Sequence, residues 1–212
     1  MTPASPVGAR YASMETRIGL LGGTFDPIHN AHLFMGELAA DELDLTEVVF
    51  MPAGRPPHKR GETLTAPADR LAMVRLAVED SHRFKASDLE ISRNSPSYTI
   101  DTVRTLLAEL GPSTSLHLVI GSDSLLELST WKDHDELLSM VRLAVYPRPG
   151  FPASGGDLPW ADRVDTLPAG GLGFDLSSSE IRARVRAGRS IRYLVPRAVE
   201  RYIAEAGLYR GV

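Results

Sequence analysis

The stretch from Ile18 to His32, IGLLGGTFDPIHNAH, limits this chain's folding options more than any other. Ile18 to Leu21 form an apolar run bounded by a turn signal, the pattern of a short buried strand. Two glycines follow, then a turn at Asp26-Pro27. From Leu33 to about Asp44, Leu33, Leu38 and Leu43, with Met35 and Ala39 between them, predict a helix. Strand, glycine turn and helix open an α/β unit. The free backbone N–H groups at such a helix start attract anions, and phosphate is the expected guest.

His29 and His32 stand at i and i+3, so on the first helical turn their rings share one face and lean back toward the glycines. Gly22 and Gly23 lack a Cβ, which lets a ligand approach the backbone. An imidazole can donate to a phosphate oxygen, and its pKa near neutrality lets it do so as a cation when a phosphate sits beside it. The same two rings also fit part of a zinc site, which would require a further protein ligand; Asp26 is the near candidate. The chain has no cysteine, which removes disulfides, thiolate zinc sites and thiol nucleophiles, and fits a reducing cytoplasm.

The loop is neither the GxGxxG dinucleotide fingerprint nor a Walker loop, since no GK[ST] follows its glycines. The string GGTFDPIHNAH instead resembles the opening motif of the nucleotidyltransferase superfamily. Ala31 stands where those proteins usually carry glycine and adds one methyl group at the point of closest approach. His29, where relatives acting on phosphopantetheine carry threonine, is similar to the branch acting on nicotinate mononucleotide.

Further along, Glu47 to Pro52 predict a second strand, and the basic loop from Ala53 to Arg60 follows at its carboxyl end. Pro67 opens a helix with Leu71, Val74, Leu76 and Val78 inward; Asp69 and Arg70 read as helix-start residues without a chemical part. Arg83 to Ile91 read as extended. Ser95 to Thr102 lead into a helix packed through Val103, Leu106, Leu107 and Leu110 and stopped at Gly111-Pro112. Ser115 to Asp123 predict a central strand ending in a glycine turn, with His117 as a structural residue and Asp123 placed to accept ribose hydroxyls. Arg142 to Tyr146 predict the next strand and Arg163 to Leu167 an edge strand. Ser177 followed by Glu180 makes a capping box, so Ser177 is the expected N-cap of a helix running to Gly188. Its N–H groups, its serines and Arg182 form a second anion cradle. A last helix begins after Pro196, with Val199, Tyr202, Ile203 and Ala206 inward.

Together GGTFDPIHNAH, PPHK, SYTIDT, GSDSLLELSTW and SSSEIR resemble, in order and spacing, bacterial nicotinate-nucleotide adenylyltransferases over residues 17 to about 208. The resemblance implies an α/β fold: a Rossmann-like doubly wound parallel sheet with a small helical C-terminal subdomain at about 177–208. It implies adenylyl transfer from ATP to nicotinate mononucleotide, with Mg²⁺ carried by the nucleotide. It assigns Gly22, Gly23, Thr24, Phe25, His32, Gly121, Asp123, Ser177, Ser178, Ser179 and Arg182 to ATP. His58, Lys59, Tyr98, Thr99, Asp123 and Trp131 are assigned to the mononucleotide, Trp131 as a stacking platform for the pyridine ring. Catalysis is expected from His29, His32, Lys59 and Arg182. Ser179 replaces the usual threonine of the family's ISSTxIR motif, keeping a hydroxyl.

With 212 residues, 43% of them hydrophobic, the chain is long enough for one sizeable core. Residues 1–16 are small, polar and aperiodic and are expected to be a mobile tail, with Met14 a candidate natural start. A net charge of −4 argues against nucleic-acid binding by broad electrostatics. No apolar run approaches the roughly 20 residues needed to span a bilayer. Homo-oligomerisation is compatible with the sequence. Two rivals stay open: an enzyme preferring nicotinamide mononucleotide or another phosphorylated acceptor, and a nucleotide sensor that does no chemistry.

Overall fold

The computed structural model describes residues 16–59, 61–151, 160–168 and 176–210, with the His58 side chain excepted. Met14, the greater part of the 151–173 loop and the glycine run 170–173 lie outside the described residues. In chain order the elements are β1 (Thr16–Gly23), α1 (Asn30–Glu42), β2 (Glu47–Pro52), α2 (Pro67–Val78), β3 (Phe84–Ala86), α3 (Leu89–Ser92), α4 (Thr99–Leu110) and β4 (Thr114–Gly121). After them come α5 (Ser122–Glu127), α6 (His134–Met140), β5 (Arg142–Tyr146), β6 (Val164–Thr166), α7 (Ser178–Arg186) and α8 (Arg197–Glu205).

All six strands are parallel, in the order β3-β2-β1-β4-β5-β6. Strands buried on both faces read as near-continuous apolar runs, and the central ones do: Ile18 to Leu21 and Leu116 to Ile120 are buried without alternation, His117 being the one polar residue among them. The order reverses between β1 and β4, which pair side by side from Thr16 with Thr114 to Leu20 with Leu118. Such a reversal opens a crevice at the carboxyl ends of the two strands, where ligands bind in open α/β sheets.

Two clusters fill the faces of the sheet. On one, Ile18, Leu20, Leu116, Leu118 and Leu143 pack with Ile100, Val103 and Leu137 from α4 and α6. On the other, Leu21, Phe50 and Met73 pack with Ile181, Val199 and Ile203, so α7 and α8 share one core with the sheet. Tyr202 donates to Asp69 Oδ1 at 2.7 Å, which fixes α8 on α2. Ala206, expected inward, is exposed beyond the helix end, one position before Gly207 in the left-handed region at φ 65°. Of the extended segment expected over 83–91, only Phe84 to Ala86 pair as strand, and Leu89 to Ser92 turn helical. Among the described residues no helix is long and apolar enough to cross a membrane.

Candidate active site

A cavity of about 520 Å³ occupies the crevice at the carboxyl ends of β1 and β4, within the size range of small-ligand sites. Gly22, Gly23, Thr24, His29 and His32 line one side, Gly121 and Asp123 the middle, and Tyr98, Thr99 and Trp131 the far side. Segments more than a hundred residues apart in sequence are thus brought to one hollow. Ala31 also lines it, so its extra methyl group faces the ligand space.

The histidine pair takes its shape from the start of α1. His29 is the N-cap residue, in an extended conformation, and the helix begins at Asn30 rather than at Leu33. The two rings stack with centroids 3.6 Å apart and planes 19° from parallel, and Phe25 meets His32 edge-on at 5.0 Å. His32 Nδ1 accepts the His29 backbone N–H at 3.2 Å, which leaves Nε2 as the proton-bearing nitrogen of the neutral ring. Among the described residues the buried His29 Nδ1 has no hydrogen-bond partner.

Both imidazole pKa values are lowered in the ligand-free site, so the rings are held neutral there until a phosphate sits beside them. Burial, and then the nearby Arg148, lowers the His29 pKa to about 3. Burial, His29 and Arg148 in turn hold His32 well below the ordinary value. Because the folded-state value lies below the unfolded one, the unfolded chain binds more protons as pH falls through 6.5 toward about 3. The stability gained by keeping His29 neutral is therefore complete above pH 6.5 and is lost on acidification. Thermal melts of the ligand-free protein should fall between about pH 7 and pH 5 by the equivalent of about 2 kcal/mol for this group. His29→Asn should flatten that slope, and an unchanged slope in the variant would contradict the assignment.

The second helix start adjoins the first. Ser177 caps α7, accepting the Glu180 N–H at 3.2 Å, and Ser178 donates from its hydroxyl to Pro27 O at 2.8 Å. Arg182 donates to Asp26 O at 2.7 Å and to Ser179 Oγ at 3.2 Å. The turn before His29 and the amino end of α7 are thus fastened together. Leu176 reaches the cavity, whereas Ser177, Ser178, Ser179 and Arg182 stand behind the Asp26–Pro27 turn and do not line it.

Phe25 and Lys59 do not line the cavity either. The Phe25 ring is 2% exposed and belongs to the core, with the backbone in the left-handed region at φ 49°. Lys59 pairs with Glu62 at 2.9 Å, and the His58 side chain lies outside the described residues.

Four residues were not singled out from sequence. Arg148 lines the cavity and pairs with Asp123 at 2.7 Å. It follows β5 directly, between two prolines, and a cation at the carboxyl end of a parallel strand was a signal that could have been read. A Cβ on Gly121 would overlap Asp123 Oδ1 and crowd Arg148 Cδ at 2.9 Å, so any larger residue there would displace this pair. Lys132 sits 4.8 Å over the Tyr98 ring and pairs with Asp101 at 3.1 Å, placing a cation beside Trp131. Arg70, 1% exposed, donates to the carbonyls of Thr24, Thr65 and Gly54 at 2.7, 3.1 and 3.3 Å. Glu90, 7% exposed, also lines the cavity.

Asp26, the near candidate for a zinc ligand, accepts instead from Tyr209 at 2.7 Å and from the Thr65 N–H at 3.2 Å. Among the described residues no three His, Asp or Glu side chains gather as a metal site.

Comparison with known proteins agrees with this geometry. A cytidylyltransferase-like family model matches residues 20–184. A probable nicotinate-nucleotide adenylyltransferase of Desulfitobacterium hafniense strain Y51 is 44% identical over 200 residues, spanning 92% of this chain and 96% of the relative. A Synechococcus protein of the same description, from strain JA-3-3Ab, is 43% identical and spans 99% of each chain. The chain belongs to the nicotinate-nucleotide adenylyltransferase family. Within this family the matched span runs from β1 into α7, so it takes in both fastened helix starts. The Plasmodium falciparum nicotinic acid mononucleotide adenylyltransferase complexed with NaAD shares the fold, with a TM-score of 0.75 at 21% identity over 92% of this chain and 97% of that one. Its complex with APC gives a TM-score of 0.74.

Proposed function

We propose that this protein transfers the adenylyl group of ATP to nicotinate mononucleotide, yielding nicotinate adenine dinucleotide and pyrophosphate for NAD biosynthesis. The observation that carries the reading is the two-sided cavity: glycines and stacked histidines at one end, Tyr98, Thr99 and Trp131 at the other. A phosphate oxygen of the mononucleotide attacks the α-phosphorus of ATP in line. One P–O bond forms as the bond to the departing pyrophosphate breaks, and no covalent enzyme intermediate is needed.

The chain's own contribution is placement and charge. His32 offers its Nε2–H to the phosphates, and a phosphate beside the stacked pair favours proton uptake there. Arg148, close enough to the histidines to lower both their pKa values, is released toward the phosphates when Asp123 turns to a ribose hydroxyl. Ser178 and Arg182 act from the start of α7 by holding the Asp26–Pro27 turn that precedes the histidines, and Lys59 acts from the loop after β2. Magnesium is supplied with the nucleotide: among the described residues Glu90, Asp123 and Glu127 line the cavity without forming a cage. Preference for the carboxylate form of the pyridine is supported by the free N–H groups at the start of α4 and by Lys132. The cysteine-free chain suits the reducing cytoplasm in which we place the enzyme.

Incubation with ATP and nicotinate mononucleotide should give a dinucleotide that retains the α-phosphate of ATP, detected by mass. Its absence would overturn the reading. Trp131→Ala should raise the mononucleotide KM about tenfold or more while the ATP KM stays within about twofold. Equal losses for both substrates would contradict the stacking role.

A further inference from the structure

A carboxyl side chain is an odd choice for a cavity expected to receive a carboxylate and phosphates. Glu90 nevertheless lies in its wall at 7% exposure, and burial raises its pKa above the ordinary range. Its contacts explain the choice. Thr102, in α4, donates its hydroxyl to Glu90 Oε1 at 2.7 Å, and the Ser97 hydroxyl lies near enough to the same carboxyl group to oppose the rise in its pKa. Ser97 Oγ accepts the backbone N–H groups of Gly54 and Arg55 at 2.9 and 3.2 Å, and Ser97 N–H donates to Arg55 O at 3.0 Å. Gly54 O accepts from Arg70, whose other guanidinium nitrogen donates to Thr24 O.

A run of hydrogen bonds therefore links Thr24 in the glycine turn to Ser97, and the Glu90 carboxyl group stands between the Ser97 and Thr102 hydroxyls. At its middle a Cβ on Gly54 would overlap the Glu90 carbonyl oxygen, so the loop after β2 is seated directly on α3. Tyr98 and Thr99 follow Ser97 immediately. Their distance from the glycine turn is set by this run together with the packing of Ile100 and Val103, and directional bonds tolerate sliding less than apolar packing does.

We propose that Glu90 is a positioning residue for the acceptor: through Ser97 and Thr102 it holds the start of α4 where Tyr98 and Thr99 meet the pyridine mononucleotide. This rests on the functional reading above. The side chain touches neither substrate's reacting atoms and acts through its two hydroxyl partners. Glutamine keeps the shape and an acceptor oxygen, whereas leucine keeps only the volume.

Steady-state kinetics of Glu90→Leu and Glu90→Gln, with each substrate varied in turn, test this. For Glu90→Leu the mononucleotide KM should rise about tenfold or more, with the ATP KM and kcat within about threefold of wild type. Glu90→Gln should return the mononucleotide KM to within about threefold. Should the leucine variant not fold, Ser97→Ala cuts the same link at a half-buried position and is expected to give the same one-sided rise. Equal rises in both KM values, an unaltered mononucleotide KM, or glutamine failing as badly as leucine would overturn the proposal. Wild-type protein that forms no dinucleotide would overturn the functional reading and this inference with it; normal wild-type turnover beside an unresponsive variant overturns this inference alone.

Discussion

His32→Ala is expected to lower kcat/KM by about 10²–10³-fold, the usual loss when one preorganised donor to developing charge is removed. The fold loses far less. Alanine forfeits the bond from the His29 N–H, the stacking on His29 and the edge contact with Phe25 at 5.0 Å. A helix cap and an aromatic contact together are worth about 1–2 kcal/mol, a fall in Tm of about 3–8 °C for a domain of this size. The cavity remains, since its other walls come from β4 and α4. Parallel measurement of initial rates and thermal melts checks both halves. Unaltered turnover would remove His32 from the chemistry, and a collapsed melt would make it a structural residue.

Arg70→Met carries the largest expected cost in stability. The substitution keeps the volume of a side chain that is 1% exposed but leaves the carbonyls of Thr24, Gly54 and Thr65 without their donor. Asp26, 2% exposed, also loses the guanidinium beside it. Breaking a buried charged network on one side costs about 3–5 kcal/mol. The melt should drop by on the order of 10 °C. Because Thr24 belongs to the glycine turn, ATP should bind more weakly even where the variant is folded. A melt within about 2 °C of wild type would contradict the role given to this guanidinium.

How much of this was legible in the sequence depends on the range of the interaction. Apolar runs and turn residues are local, and they located β2 and β5 to the residue and the cap of α7 at Ser177. The cavity's place followed from the glycines that end β1 and β4, because a strand-end glycine beside a helix start is a sequence-local pattern. Arg70 reads as an ordinary helix-start arginine because its three acceptors lie on other segments. The same holds for Glu90, whose partners are on α4 and in the segment before it. Phe25 sits inside the motif but turns into the core, since the left-handed backbone there aims its ring away from the ligand side. The charge state of the histidines was out of reach for a related reason: spacing places two rings together, but only burial and Arg148 decide that they are neutral. His29 remains the N-cap by backbone geometry while its ring serves the cavity.

Pyrophosphate release, followed with ATP alone and with nicotinate or nicotinamide mononucleotide added in turn, bears most directly on the claim that this cavity joins two nucleotides. Release should depend on an acceptor and should be fastest with the nicotinate form, by about tenfold or more over the amide if the start of α4 and Lys132 read the carboxylate. Tight ATP binding with no pyrophosphate in any of the three mixtures, or equal release with and without acceptor, would contradict it.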